Sequence, residues 1–270
     1  MSIKKIFFTA SVAITMVFVS CEPDDFDLLD ENVSYEEYNP ATMAQVKFIH
    51  AYPSLTPAAV TTAPNGPRFT IFANGKKVNG MTTTSTTANS FSYGSVFPFT
   101  PYCFISPGNT NLLFVVHRIT NNAFAPIAGD TVFNFSYNFE AGKKYSVFLA
   151  DKPDPGVMVI ENNFGSAPVD QFQLRFVNLS ANVTERYDLY SLRHGYVFRN
   201  VGYKEIQGYQ TLTRTDISDT LRLFRTGTTV ALSSVNGFSG SPQQVYTFFA
   251  YGKSSLGATR VPAITYYPER

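Results

Sequence analysis

The chain has 270 residues, enough for two domains of about 100–150 residues, each with its own core. Charged residues supply only 15% of it and aromatics another 15%, as 25 Phe and 16 Tyr with no Trp; the typical charged fraction is about 25%, and a surplus of Phe, Tyr, Val and Thr favours pleated, half-buried β-structure over the highly charged helices of many cytosolic enzymes. The net charge of +1 hides a segregation: residues 22–40 carry eight acidic residues and no basic one, which leaves 12 acidic and 19 basic residues in 41–270.

In chain order, Lys4 and Lys5 form a short positive start and Ile6 to Val19 a nearly unbroken apolar run. At about 14 residues the run fits a signal-peptide core and falls short of the roughly 20 residues of a membrane span. Ser20 and Cys21 follow directly. A small residue before a cysteine, just after an apolar core, resembles a lipobox, although Phe18 stands where many lipoboxes carry Leu. The expectation is a signal peptide over 1–20 and a lipid on the Cys21 thiol, with acyl chains contributing about 0.8 kcal/mol per buried CH₂. An uncleaved anchor or an ordinary signal peptide are the alternatives. Glu22, Asp24 and Asp25 stand beside the lipid site and resemble the acidic export signal that sends lipoproteins of Bacteroidetes to the outer face of the outer membrane; the periplasmic face is the alternative location. Residues 21–43 as a whole read as an acidic flexible tether.

From residue 44 onward the chain reads as short strands punctuated by turns. Val46-Lys47-Phe48-Ile49-His50 is matched 128 residues later by Leu174-Arg175-Phe176-Val177-Asn178. Arg68 to Ala73 ends at Asn74-Gly75, a strong hairpin signal, and Leu112 to Val116 follows the turn Ser106-Pro107-Gly108-Asn109. Gly129-Asp130-Thr131-Val132 leads through Phe139 and Gly142 to the aromatic strand Tyr145–Ala150. Gly227-Thr228-Thr229-Val230 leads through Phe238 and Gly240 to Tyr246–Ala250. Val157–Ile160 and Ala263–Tyr266 close the two series. Two correspondences in the same order argue for duplication. The expected fold class is all-β: two tandem immunoglobulin-like β-sandwich domains over 44–165 and 166–270, behind the signal peptide and tether. The basic residues never run to three in a row and read as solvated strand faces. An excess of positive charge could draw acidic glycans or nucleic acid, but no nucleic-acid partner is expected.

Val46 to Ala51 followed by Pro53, the strand ending in Asn74-Gly75-Lys76, the strand Phe91-Ser92-Tyr93-Gly94, the Pro107-Gly108 turn and Glu140-Ala141-Gly142-Lys143-Lys144-Tyr145 together resemble domain-of-unknown-function family 4397. In the second copy Asn178 replaces His50, and His194-Gly195 stands near the Asn-Gly turn. The resemblance implies a β-sandwich, often in tandem, on exported bacterial proteins, and brings no catalytic residue.

Catalytic signatures are sparse. His50, His117 and His194 are far apart, and no zinc motif links them. Gly237-Phe238-Ser239-Gly240-Ser241 misses the nucleophile-elbow pattern at its last position. Cys103 lies in an apolar stretch and reads as a buried, inert thiol. No enzyme, metal or cofactor is expected. The expected function is a cell-surface binding or adhesion module for glycan, protein or matrix, held to the membrane through its lipid. A structural subunit of a surface assembly is the alternative, and an unfamiliar enzyme the least favoured. Aromatic platforms for sugar would come from Phe97–Tyr102 or Tyr266-Tyr267, although most aromatics should fill cores.

Overall fold

A computed structural model describes residues 39–53, 68–79, 91–116, 131–151, 156–256 and 260–269. Seventeen strands run through them in order: β1 Ala44–His50, β2 Phe69–Ala73, β3 Lys76–Lys77, β4 Val96–Phe97, β5 Cys103–Ile105, β6 Gly108–Val116, β7 Thr131–Phe139, β8 Lys144–Leu149, β9 Val157–Glu161, β10 Gln171–Asn178, β11 Tyr187–Ser191, β12 Gly195–Val201, β13 Ile206–Thr213, β14 Asp219–Arg225, β15 Ala231–Phe238, β16 Val245–Tyr251 and β17 Ala263–Pro268. They make four sheets. Sheet A is β4-β1-β8-β9, with β5 also on β1; sheet B is β3-β2-β6-β7; sheet C is β13-β10-β16-β17; sheet D is β12-β11-β14-β15. The chain is all-β and built of sandwiches.

The duplication extends to register. In sheet A, β1 runs parallel to β8 with Lys47 opposite Ser146. In sheet C, β10 runs parallel to β16 with Arg175 opposite Thr247. β9 then pairs antiparallel with β8, and β17 with β16. The Tyr145 hydroxyl accepts the Glu140 N–H at 3.1 Å, and the Tyr246 hydroxyl accepts the Ser241 N–H at 3.0 Å. Each tyrosine also meets the last aromatic of the preceding strand edge-on, Tyr145 with Phe139 at 5.1 Å and Tyr246 with Phe238 at 5.0 Å. Gly240 lies in this second corner with the Phe172 ring so close that a Cβ would fall 2.4 Å from it. The glycine is there for packing.

Three hydrophobic clusters explain the stacking. Val46, Phe48, Phe69, Phe114 and Val147 fill the space between sheets A and B. Leu174, Phe176, Leu189, Leu223 and Phe248 fill that between C and D. Ile49, Phe148, Val177, Phe249 and Tyr267 form a third cluster between sheets A and C. The layers therefore run B, A, C, D. The inner sheets are covered on both faces, the environment in which parallel strand pairs are found. This is why β8 and β16 are buried almost throughout. Each Phe fully buried in the third cluster contributes about 1.5–3 kcal/mol.

That layer overturns one expectation. Lys47 and Arg175 are 0% and 3% exposed and are not solvated strand faces. They alternate with core residues because the opposite strand face meets another sheet, where water would otherwise be. Phe91–Gly94 is also not a strand: Phe91 makes an isolated bridge to Phe69, and the chain then turns, with the Gly94 N–H donating to the His50 carbonyl. Asn74 and Gly75 form the β2–β3 turn at φ 48° and 78°, the double positive-φ geometry that favours Asn-Gly.

Candidate functional site

Cys21, Glu22, Asp24, Asp25 and His117 lie outside the described residues. His50 is buried at the end of β1 beside the rings of Phe69 at 4.6 Å and Phe91 at 5.2 Å, with Nδ1 accepting the Tyr52 N–H at 3.3 Å. It is a core residue. The His194 ring, in the second sandwich, meets the Phe172 ring edge-on at 6.3 Å. Cys103 is half-buried in β5, and burial pushes its thiol up to about 11, so thiolate is scarce at neutral pH. Among the described residues no group of three or more His, Cys, Asp or Glu side chains is placed to hold a metal ion.

The aromatic segments marked in the sequence are largely internal. Tyr267 is 0% exposed, and Tyr266 packs on the core between sheets C and D. The Tyr102 hydroxyl donates to Glu269 Oε2 at 2.7 Å. Burial, and then the Glu269 charge, drive the Tyr102 hydroxyl far above its ordinary pKa. The intervening loop wraps the Lys47 ammonium, which donates to the carbonyls of Pro98, Phe99, Thr100 and Pro101 at 3.3, 2.7, 3.0 and 2.8 Å. Phe99 is the exposed aromatic of this segment.

Lys47 belongs to a polar layer between sheets A and C. Arg175 Nη2 donates to Glu269 Oε1 and to Asn162 Oδ1, both at 2.6 Å, and its Nε donates to Thr247 Oγ1 at 2.7 Å. Asn162 Nδ2 donates to Glu269 Oε2 at 2.7 Å, and Ser146 Oγ bonds the Tyr267 hydroxyl at 2.9 Å. Asn162 and Glu269 occupy equivalent slots: their N–H groups donate to the carbonyls of Lys144 and Val245, each two residues before the buried polar position of its strand, Ser146 or Thr247. Burial works against the Arg175 charge, but Glu269 together with the Tyr267 and Tyr209 hydroxyls more than offsets it, and the guanidinium stays protonated. Every member of this layer is enclosed, so its chemistry is cohesive. It joins the two sandwiches.

The open surface with recognition chemistry is the outer face of sheet D. Leu189, Val197, Leu221 and Leu223 point into the core, so the alternate residues point outward. In register across the strands, Tyr196 opposes Tyr190, Tyr190 opposes Arg222, and Arg222 opposes Ser234. The Tyr190 ring meets Tyr196 at 5.0 Å and Phe224 at 6.0 Å, edge to face in both cases. The Arg199 guanidinium lies over the Tyr196 ring, 3.8 Å from its centroid. A register shift in the β11–β12 pairing lets both Val197 and Phe198 face inward, which returns Arg199 to the Tyr196 side. Tyr196 is 42% exposed. The other outer sheet is different: the described exposed positions of β6 and β7 are Asn109, Asn111, Thr131, Asn134, Ser136 and Asn138, with Asn111 Nδ2 donating to Asn134 Oδ1 at 2.8 Å. Tyr187-Asp188-Leu189-Tyr190 alternates as a half-buried strand does, but the row depends on three strands coming together in a fixed register.

Comparison with known proteins gives one family and several distant structures. No curated protein matches the chain. Three solved structures align over most of it. The CBM26-family module CBMbc of Eubacterium rectale, solved with maltoheptaose, is 11% identical, with 83% of this chain and 96% of that one covered and a TM-score of 0.23. A candidate polysaccharide-binding protein (DUF1812) of Bacteroides thetaiotaomicron is 10% identical, with 84% and 97% covered and a TM-score of 0.21. A candidate cell-adhesion protein of Bacteroides fragilis is 12% identical, with 84% and 98% covered and a TM-score of 0.20. Scores this low carry no argument about function. The family defined by the domain of unknown function DUF4397 matches residues 44–190, which span all of the first sandwich and the opening strands β10 and β11 of the second. The chain therefore belongs to the DUF4397 family.

Proposed function

We propose that the protein is a non-catalytic binding module, anchored by a lipid on Cys21 to the outer membrane and exposed at the cell surface. In this reading Glu22, Asp24 and Asp25 direct export, and residues 21–43 hold the sandwiches off the membrane. The observation that carries the binding function is the Tyr196–Tyr190 pair, with Tyr196 exposed, Tyr190 half-buried and Arg199 over the Tyr196 ring. Solvent-facing strand positions tolerate polar residues at no cost, as the Asn- and Ser-bearing face of sheet B shows. An aromatic cluster in the same setting leaves apolar area in water, and such area marks recognition sites. Tyrosines offer ring faces for sugar or side-chain stacking together with hydroxyls for hydrogen bonds.

The test is binding of the full chain, purified in mild detergent, to an array of glycans and matrix proteins. A saturable hit that is lost in the Tyr190→Ala/Tyr196→Ala variant, with the circular dichroism spectrum unchanged, supports the reading. Hits that the variant keeps, or none at all, count against it.

A further inference from the structure

We propose that the outer face of sheet D takes an acidic polysaccharide, one bearing carboxylate or sulfate groups at intervals along its chain. This rests on the reading of that face as the recognition surface and adds the chemical class of its ligand.

The first ground is the pairing of the arginines. Arg186 and Arg225, at the same end of the second sandwich, are neutralised by Glu205 at 2.8 Å and Glu185 at 2.6 Å. Arg199 and Arg222 have no carboxylate partner among the described residues. The acidic residues of sheet D are turned to internal duties. Asp188 is buried and accepts the Asn200 N–H at 2.7 Å and the Thr226 hydroxyl at 2.6 Å, and Asp219 is buried and accepts the Ser191 hydroxyl at 2.5 Å. Among the described residues the strands of this face therefore present two arginines without a salt-bridge partner, Arg199 exposed and Arg222 half-buried, and no exposed carboxylate; Asp188 shares the face by alternation but is buried.

The second ground is preorganisation. With its guanidinium centre 3.8 Å from the Tyr196 centroid, Arg199 is held over the ring face. The edges of the guanidinium, where its N–H donors project, stay available. A planar fork held in place suits a carboxylate or sulfate, which it can meet with two parallel hydrogen bonds. Stacking also restricts a side chain that would otherwise lose rotamer freedom on binding.

The third ground is spacing. Tyr196 and Arg222 are two strands apart through Tyr190, which is roughly 10 Å at the usual inter-strand distance. One small anion cannot bridge that span. A polymer with recurring acidic groups can engage both arginines, lay its rings along Tyr196 and Tyr190 between them and reach Ser234 beyond Arg222. A nucleic acid is also polyanionic, but its binders draw affinity from many phosphate contacts, commonly six to ten. Two cations on a flat strand face are a poor match for that density and a good one for a more sparsely charged sugar chain.

Isothermal titration of the full chain tests this with four polymers: polygalacturonate, dextran sulfate, neutral dextran and single-stranded DNA. The expected result is saturable, salt-weakened binding of polygalacturonate or dextran sulfate, with the preferred one identifying the anion. Arg199→Ala and Arg222→Ala should each weaken it roughly tenfold, the scale of one charge-assisted contact. Arg222→Lys, which keeps charge and loses the fork, should fall between. Neutral dextran or another neutral glycan bound as tightly as the acidic polymers, and indifferent to the arginine variants, overturns the acidic class but leaves the recognition face standing. DNA bound more tightly than either acidic polysaccharide also overturns the class. Acidic binding that survives Tyr190→Ala/Tyr196→Ala and both arginine variants overturns the face itself. No binding of either acidic polymer overturns the proposal.

Discussion

Arg175 and Glu269 form an ion pair at 2.6 Å with side chains 3% and 0% exposed, which fixes strand β10 to the end of β17 inside the layer where the two sandwiches meet. Removing one partner of such a pair strands a buried charge and costs about 3–5 kcal/mol, whereas replacing both with apolar residues of similar volume is often neutral. Arg175→Met should therefore lower stability by about 3–5 kcal/mol in denaturant unfolding. Arg175→Met/Glu269→Leu should recover much of that loss. A double-variant loss equal to the sum of the Arg175→Met and Glu269→Leu losses would show that the pair is not coupled.

Lys47 gives a pH signature. Burial, outweighing the pull of Glu269, lowers its pKa to about 8 from the ordinary 10.5. Between those values the unfolded chain holds the proton more tightly than the folded one, so this group makes stability rise with pH over that window. The raised pKa values of Tyr102, Tyr209 and Tyr267, caused first by burial, act in the opposite sense: their contribution is complete below about 10 and is lost above it. Cys103, raised from 9 to about 11, acts in the same sense as the tyrosines from pH 9 upward, so the wild-type chain should gain stability from pH 8 towards 9 and lose it beyond 10. In Lys47→Met the rise should be absent. The same variant strips four carbonyls of their donor and should cost about 1–3 kcal/mol at pH 7.

The equivalent tyrosine corners should respond alike. Tyr145→Phe and Tyr246→Phe each remove the acceptor for one backbone N–H and should each cost about 1 kcal/mol. Their effects should add, because the corners lie in different sandwiches. Strong non-additivity in equilibrium unfolding would contradict the separation of the outer two cores.

Cys21→Ser should release the protein from membranes, read as its movement from the membrane to the soluble fraction and a loss of incorporated fatty acid label. Membrane retention with unchanged mobility would contradict the lipid anchor.

The strands, the Asn74-Gly75 hairpin and the duplication were legible because each depends on local alternation and turn chemistry. The middle layer was less so. Val46-Lys47-Phe48 alternates just as a half-solvated strand does, and periodicity alone does not distinguish water from a second sheet beyond Lys47. Two signals were present: the same basic slot recurs at Arg175, and Tyr145–Ala150 is apolar on both faces, as strands covered on both sides are. The Pro-flanked aromatics Phe97–Tyr102 suggested an exposed platform. Phe97 and Tyr102 turn inward, while Phe99 stays exposed, because the Lys47 ammonium gathers the loop carbonyls and Tyr102 finds Glu269. The row Tyr196–Tyr190–Arg222 was hidden for a different reason. Its members come from β12, β11 and β14, and only long-range strand order brings them side by side.

Hydroxyl-radical footprinting of the full chain, with and without polygalacturonate or the strongest array ligand at saturation, tests the recognition face most directly. The account predicts protection of Tyr190 and Tyr196, with Phe99 on the first sandwich and Tyr137 on sheet B unchanged. Protection at Phe99 or Tyr137 while Tyr190 and Tyr196 stay as reactive as in the free protein would contradict it.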